Sequence, residues 1–331
     1  MTFMKNGEQP RRIRNISELA QLAGVSAGTV SRALAGKDLV NRQTRERIQA
    51  LAREYGFRPN QMASRLRTGQ TGVIGLVIPP ASDRTQILSD PLSMALLGHL
   101  ADAVTERGYD VMLNRTPSEE SDWLERIVDS GMLEGVLLIG QSDQRDTIEQ
   151  VAGDYRPLVV WGTPGARQQH CVVGTDAFAA GKLAADHLLA RGATRLALIG
   201  ATTAAEDEQR IAGATEALRA SGRGSAVDVV PADAIDMIHA DVDGLLATSD
   251  MIAMAALRTL HERGRKVPDD VAVVGFGDLP IAAQTVPQLT TVHHELAAGA
   301  RVMVDLLFRR MAGEDTASVM LEPRLVVRES A

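Results

Sequence analysis

At 331 residues, with 45% hydrophobic and 23% charged side chains, the chain has the make-up of a soluble globular protein large enough for two or three domains. A single cysteine, Cys171, excludes an intramolecular disulfide and a Cys-rich zinc site. No apolar run approaches a membrane span or a secretory h-region, so the cytoplasm is the expected compartment. The net charge of −7 conceals an asymmetry: residues 1–72 carry 13 Lys+Arg against 5 Asp+Glu, and the remainder 22 against 37. A small basic head on a large acidic body attracts phosphate at one end and resists nonspecific adhesion to nucleic acid elsewhere.

The head opens with Asn15-Ile-Ser-Glu18, the spacing of a helix-capping box. Ile16, Leu19, Ala20 and Ala23 recur at helical intervals, and Gly24 ends that helix. Ser26 is placed to cap a second helix from Ala27 to about Ala35. A third, roughly Arg42 to Tyr55, turns Ile48, Leu51, Ala52 and Tyr55 inward. Two short helices joined by Ala23-Gly24-Val25-Ser26 fit a helix-turn-helix, with glycine where the turn needs a permissive backbone.

These residues resemble the LacI/GalR family of repressors. The likeness runs through Ile16, Leu19-Ala20, Ala23-Gly24-Val25-Ser26, Thr29-Val30-Ser31-Arg32, Val40, Thr44-Arg45, Gly56-Phe57, Pro59-Asn60 and Ala63. It continues through Leu66, Arg67-Thr68-Gly69, Thr71 and Ile74-Gly75, a fixed spacing that a chance helix-turn-helix would not supply. The resemblance implies a helix-turn-helix domain over 1–58, a hinge helix and linker over 59–72, and a ligand-binding, dimerising body over 73–331. Residues 27–35 would lie in the major groove of operator DNA, with contacts from Ser26, Ala27, Gly28, Thr29, Ser31, Arg32 and Asn41. Asn60 and Ala63 would belong to the hinge, and Leu66 would wedge into the minor groove. Ala27 and Gly28 depart from the family's long polar side chains there, shifting specificity toward Arg32, Thr29 and DNA deformability. Ala35 replaces the usual Asn at the end of this helix.

From Val73 onward short apolar runs alternate with helix-length segments. Strands are expected at Val73–Ile78, Tyr109–Leu113, Gly135–Ile139, Leu158–Trp161, Cys171–Val173, Leu196–Ile199, Val227–Val230, Gly244–Ala247 and Val271–Val274. That alternation predicts an α/β body of two doubly wound lobes with a cleft beyond the carboxyl ends of their strands. The resemblance makes it periplasmic-binding-protein-like, with lobe 1 over about 73–165 and 294–317 and lobe 2 over about 166–293 and 318–331.

Dinucleotide, P-loop and nucleophile-elbow signatures are all absent, which argues against an enzyme. Adjacent His293 and His294 point apart on a strand, so no shared metal is expected, and no cofactor. Effector contacts are expected from Asp176 and Arg210, by the resemblance, and from Asp250 and Asp278, which follow strands. Trp161 is available to stack on an apolar sugar face. A guanidinium facing carboxylates suits a polyhydroxylated ligand, while Gly277 and Ser249, which replace the Asp and Asn common in sugar-binding relatives, leave a sugar acid, phosphate or purine open. The expectation is a homodimeric repressor of carbohydrate-utilisation genes, released from a near-palindromic operator, or recruited to it, by a small molecule. A solute-binding module without DNA function is the alternative from another class.

Overall fold

The computed structural model describes residues 13, 15–34, 40–57, 71–80, 90–115, 121–141, 144–165, 168–201, 204–224 and 226–331. The chain divides into two compact units, 1–71 and 72–331.

Among its described residues the first unit has three helices, α1 (Ile16–Ala23), α2 (Ala27–Leu34) and α3 (Arg42–Glu54). Leu19, Val30, Ala33 and Ile48 are completely buried at their junction. The capping box forms: the Asn15 carboxamide oxygen accepts from the Glu18 N–H at 2.8 Å, and its nitrogen donates to the Glu18 carboxylate at 2.5 Å. Gly24 takes the left-handed conformation, φ 63°, that turns the chain from α1 into α2. Arg47 of α3 donates to the carbonyl of Ala23 at 2.7 Å, satisfying a free carbonyl at the end of α1 and tying the two helices together.

The second unit contains two six-stranded sheets. In chain order its elements are β1 (Val73–Ile78), α4 (Pro91–Glu106), β2 (Asp110–Arg115), α5 (Trp123–Val128), β3 (Gly135–Ile139), α6 (Arg145–Asp154), β4 (Leu158–Trp161) and β5 (Cys171–Thr175). There follow α7 (Ala177–Ala190), β6 (Leu196–Ile199), α8 (Ala205–Ala220), β7 (Asp228–Val230), β8 (Gly244–Ala247), α9 (Asp250–Glu262) and β9 (Ala272–Gly277). The last are β10 (Thr290–His293), α10 (Leu296–Met311), β11 (Val319–Leu321) and β12 (Arg324–Val326), with 3-10 turns at Ala232–Met237 and Pro280–Gln284. The strand orders are β11-β5-β4-β3-β1-β2 and β12-β10-β9-β8-β6-β7. Among the described residues the strand pairings are parallel except β10 with β12. Helices cover the sheet faces, which is why strands such as β3, β4 and β8 are buried from end to end rather than alternating.

Three segments cross between the sheets: Thr175 to α7, His293 to α10, and Leu321 to Arg324. α10 packs Leu296, Met303 and Leu307 into the first sheet's core. The expected lobe limits need correction at two of these places. Cys171–Thr175 and Val319–Leu321 belong to the first sheet, in the register Val319↔Val173, Met320↔Gly174 and Leu321↔Thr175. β5 pairs with β4, Val159 opposite Cys171, so the chain returns to the same sheet after Trp161 instead of crossing near 165. An apolar run buried on both faces does not encode which sheet it joins.

In the second lobe α7 and α8 approach as closely as helices can. A Cβ on Gly181 would lie 2.1 Å from the carbonyl oxygen of Arg210, and one on Gly213 would lie 2.0 Å from that of Phe178. Glycine at both positions lets the backbones touch and fixes where Arg210 sits.

Candidate functional site

In the first unit, α2 carries the residues expected at DNA. Ser26 precedes it and accepts from the Thr29 N–H at 3.2 Å, while its hydroxyl and that of Thr29 are 2.9 Å apart. Val30 and Ala33 face the core, Ala27, Gly28, Thr29 and Ser31 are part-exposed, and Arg32 is exposed. The expected groove-facing side is therefore the side the core leaves open. Asn41 is exposed and caps α3, its carboxamide accepting from Gln43 N–H at 2.8 Å. Asn60, Ala63 and Leu66, with Ala35, lie outside the described residues.

In the second unit, the carboxyl ends of the two sheets meet at the crossing segments. Nδ1 of His294 lies 2.9 Å from Oγ1 of Thr175, the Asp176 N–H donates to Leu321 O at 3.0 Å, and Arg324 donates to Glu295 at 3.2 Å. Each crossing is thus bonded to another.

The structure sorts the five expected effector residues into separate settings. Arg210 is buried on α8, where it donates to Asp207 at 2.9 Å, approaches Glu206 at 3.8 Å, and lays its guanidinium 5.1 Å from the Phe276 ring centre. Its carboxylate partners are thus from its own helix, three and four residues back, not Asp176, Asp250 or Asp278. Among the described residues its Nε has no hydrogen-bond partner.

Asp250 is completely buried under β9. It accepts from Thr291 Oγ1 at 2.6 Å and from the Leu279 N–H at 2.7 Å, and burial raises its carboxyl above the ordinary value. Gly275 and Gly277 make room for it, since a Cβ on either would lie 2.5 or 3.2 Å from its oxygens. Asp278, in the left-handed region at φ 53°, is held by His293 Nδ1 at 2.9 Å and by Arg328 at 2.5 Å. Asp176 caps α7 through the Ala179 N–H at 2.9 Å. Trp161 sits in the first core, its ring edge where a Gly299 Cβ would be 2.4 Å away. Asp176, Asp250 and Asp278 are thus each engaged in internal hydrogen bonds, and Trp161 packs in the first core.

His294 is the residue that sequence reasoning left aside. It is buried, its pKa is pushed down to about 3 by burial first and then by the charges of Arg210 and His293, and among the described residues its Nε2 has no partner. A neutral imidazole and a half-paired guanidinium thus stand near each other with polar atoms uncommitted, where the lobes meet. The only signal in the sequence was two histidines closing a strand. Among the described residues there is no group of three or more His, Cys, Asp or Glu able to hold a metal ion, and no helix is long and apolar enough to cross a membrane.

A helix-turn-helix unit with an open face, followed by a two-lobed α/β unit of periplasmic-binding-protein type, is the architecture of a transcription regulator. The model of bacterial regulatory proteins of the lacI family matches residues 15–60, and that of the periplasmic binding protein-like domain matches 185–331. The chain is 32% identical over 340 residues to the HTH-type transcriptional regulator CelR of Thermobifida fusca, covering 97% of this chain and 99% of that one. It is 30% identical to the HTH-type transcriptional regulator reg1 of Streptomyces lividans, covering 95% and 96%. The solved transcriptional regulator CelR–cellobiose complex superposes with TM-score 0.70 at 30% identity, over 96% and 99% of the two chains. The lac repressor dimer bound to operator and an anti-inducer gives TM-score 0.83 at 19% identity, over 97% and 99%, a likeness of fold. This chain belongs to the LacI family of transcription regulators, a family of regulators rather than enzymes.

Proposed function

We propose that this regulator is a cytoplasmic homodimeric repressor of carbohydrate-utilisation genes, released from a near-palindromic operator when a sugar-like molecule enters its cleft. The observation that carries the DNA half is α2: Ser26, Thr29, Ser31 and Arg32 lie on the side that Val30 and Ala33 turn away from the core. Paired heads would read two half-sites, with Asn60 and Ala63 in the hinge and Leu66 as the minor-groove wedge.

For the effector, the supporting observation is the pair of buried, uncommitted atoms, Arg210 Nε and His294 Nε2. Asp207 and Glu206 already offset the guanidinium charge, and His294 is neutral. That balance favours the hydroxyls of a neutral sugar over a phosphate or carboxylate, which would meet a guanidinium already offset by its own helix's carboxylates. Cellobiose in the solved relative belongs to the same chemical class. Asp176, Asp250, Asp278 and Trp161 enter this reading as wall-setting residues. Release requires that ligand bind the DNA-free state more tightly.

The test has two arms. The full chain should enrich a consensus from a pool of random duplexes, and Arg32→Ala should lose retardation of that duplex; binding indifferent to Arg32 sinks the DNA reading. A thermal-shift screen of neutral sugars, sugar acids and sugar phosphates should give a shift with a neutral sugar that Arg210→Ala abolishes. A shift with phosphates alone overturns the ligand class.

A further inference from the structure

Gly28 stands in the first turn of α2, where it has a conformational cost: glycine is the poorest helix former after proline. Its φ is not in the left-handed region, so no turn requires it. Its surroundings supply a reason. A Cβ placed on Gly28 would lie 3.3 Å from a terminal guanidinium nitrogen of Arg32 and 3.8 Å from Ser26 Oγ. Arg32 is one helical turn further on, and helical side chains lean back toward the N-terminus. Its guanidinium therefore lies beside Gly28, one turn back, toward the end of the helix that meets base edges in this class of motif.

We propose that Gly28 is a positioning residue for Arg32: the missing side chain at 28 is the space the Arg32 guanidinium uses to reach the N-terminal end of the recognition helix. This rests on the DNA-binding reading above. It turns the small pair Ala27-Gly28 from a loss of contacts into a device, one long donor serving where a side chain on 28 would otherwise stand. A methyl at 28, at 3.3 Å, asks the guanidinium to give by only a few tenths of an ångström while favouring the helix, whereas a branched side chain fills the space beside it and displaces a bidentate contact that tolerates little movement.

The test uses the full chain and the consensus duplex that wild type selects from a random pool, with a panel of single base-pair changes, followed by fluorescence anisotropy. Enrichment by wild type checks the DNA reading itself. Given a consensus, Arg32→Ala should flatten discrimination at one base pair per half-site, by about tenfold. Gly28→Ala should flatten that same base pair partly and Gly28→Val nearly fully, with far-UV circular dichroism unchanged. Gly28→Val added to Arg32→Ala should change nothing further. A Gly28→Val protein that keeps the wild-type preference, weakens all sequences equally, or shows its full effect without Arg32 overturns the proposal.

Discussion

His294 Nδ1 and Thr175 Oγ1, 2.9 Å apart, join the end of β10 in one sheet to the end of β5 in the other. Burial holds the His294 ring uncharged in this enclosed place, and an energetic signature follows from that. The folded pKa is about 3 against an ordinary 6.5, so the unfolded chain takes up a proton that the folded chain refuses. The associated stability is fully present above pH 6.5 and is lost as pH falls toward 3, at up to about 1.4 kcal/mol per pH unit. Urea unfolding followed by fluorescence of Trp123 and Trp161, both in the first core's surroundings, reports it. His294→Gln should lose less stability than wild type between pH 6.5 and 4.5. Parallel losses would mean the ring is not held neutral.

Asp250 offers a second contrast. Its two oxygens accept from Thr291 and Leu279 in a completely enclosed site, and burial raises its carboxyl. A raised carboxyl pKa marks a penalty on the charged form at neutral pH that eases as pH falls. Asp250→Asn removes the charge and keeps an acceptor for the Leu279 N–H, while the Thr291 hydroxyl turns to accept. It should stay within about 1 kcal/mol of wild type at pH 7, whereas Asp250→Ala strands both partners at about 2–4 kcal/mol. Chemical denaturation of both variants decides; equal losses would assign the effect to the charge itself.

These two residues mark the limit of what could be read from sequence. Periodicity revealed α1, α2 and the strand–helix alternation because a face buried against a core must repeat at 3.6, and a strand buried on both faces must be apolar throughout. Which sheet Cys171–Thr175 joins depends on the turn back along β4, a tertiary choice with no local mark. Asp250 and Asp278 follow strands, as expected of cleft residues. Yet Thr291, Leu279, His293 and Arg328, which commit them, are up to fifty residues away in sequence. Arg210 was legible as a candidate, but its pairing with Asp207 and its stacking on Phe276 were not.

Gly213 tests the close approach that sets Arg210 in place. A Cβ there would be 2.0 Å from the Phe178 carbonyl oxygen, a backbone atom with no room to swing aside. Gly213→Ala must spread α7 from α8, which should cost about 1–3 kcal/mol. The spreading also moves Arg210, since Gly181 on the facing helix packs on the Arg210 backbone. A melting temperature and ligand shift both equal to wild type would show that the helices are not fixed by this contact.

The Arg210–Asp207 pair separates stability from ligand response. Both side chains are buried, 2.9 Å apart, so removing one partner leaves a charge in a poor solvent. Arg210→Met keeps much of the length that covers Phe276 but takes away the cation beside Asp207. It should destabilise the chain by about 3–5 kcal/mol, and adding Asp207→Leu should restore most of that loss, because a buried ion pair is readily replaced by apolar packing. The double variant should nevertheless give no thermal shift with the sugar that shifts wild type, since Nε, the buried donor without a partner among the described residues, is gone. A double variant that regains both stability and the ligand shift would show that Arg210 is only a structural partner of Asp207. One that regains stability alone separates the two roles and leaves the guanidinium as the ligand donor.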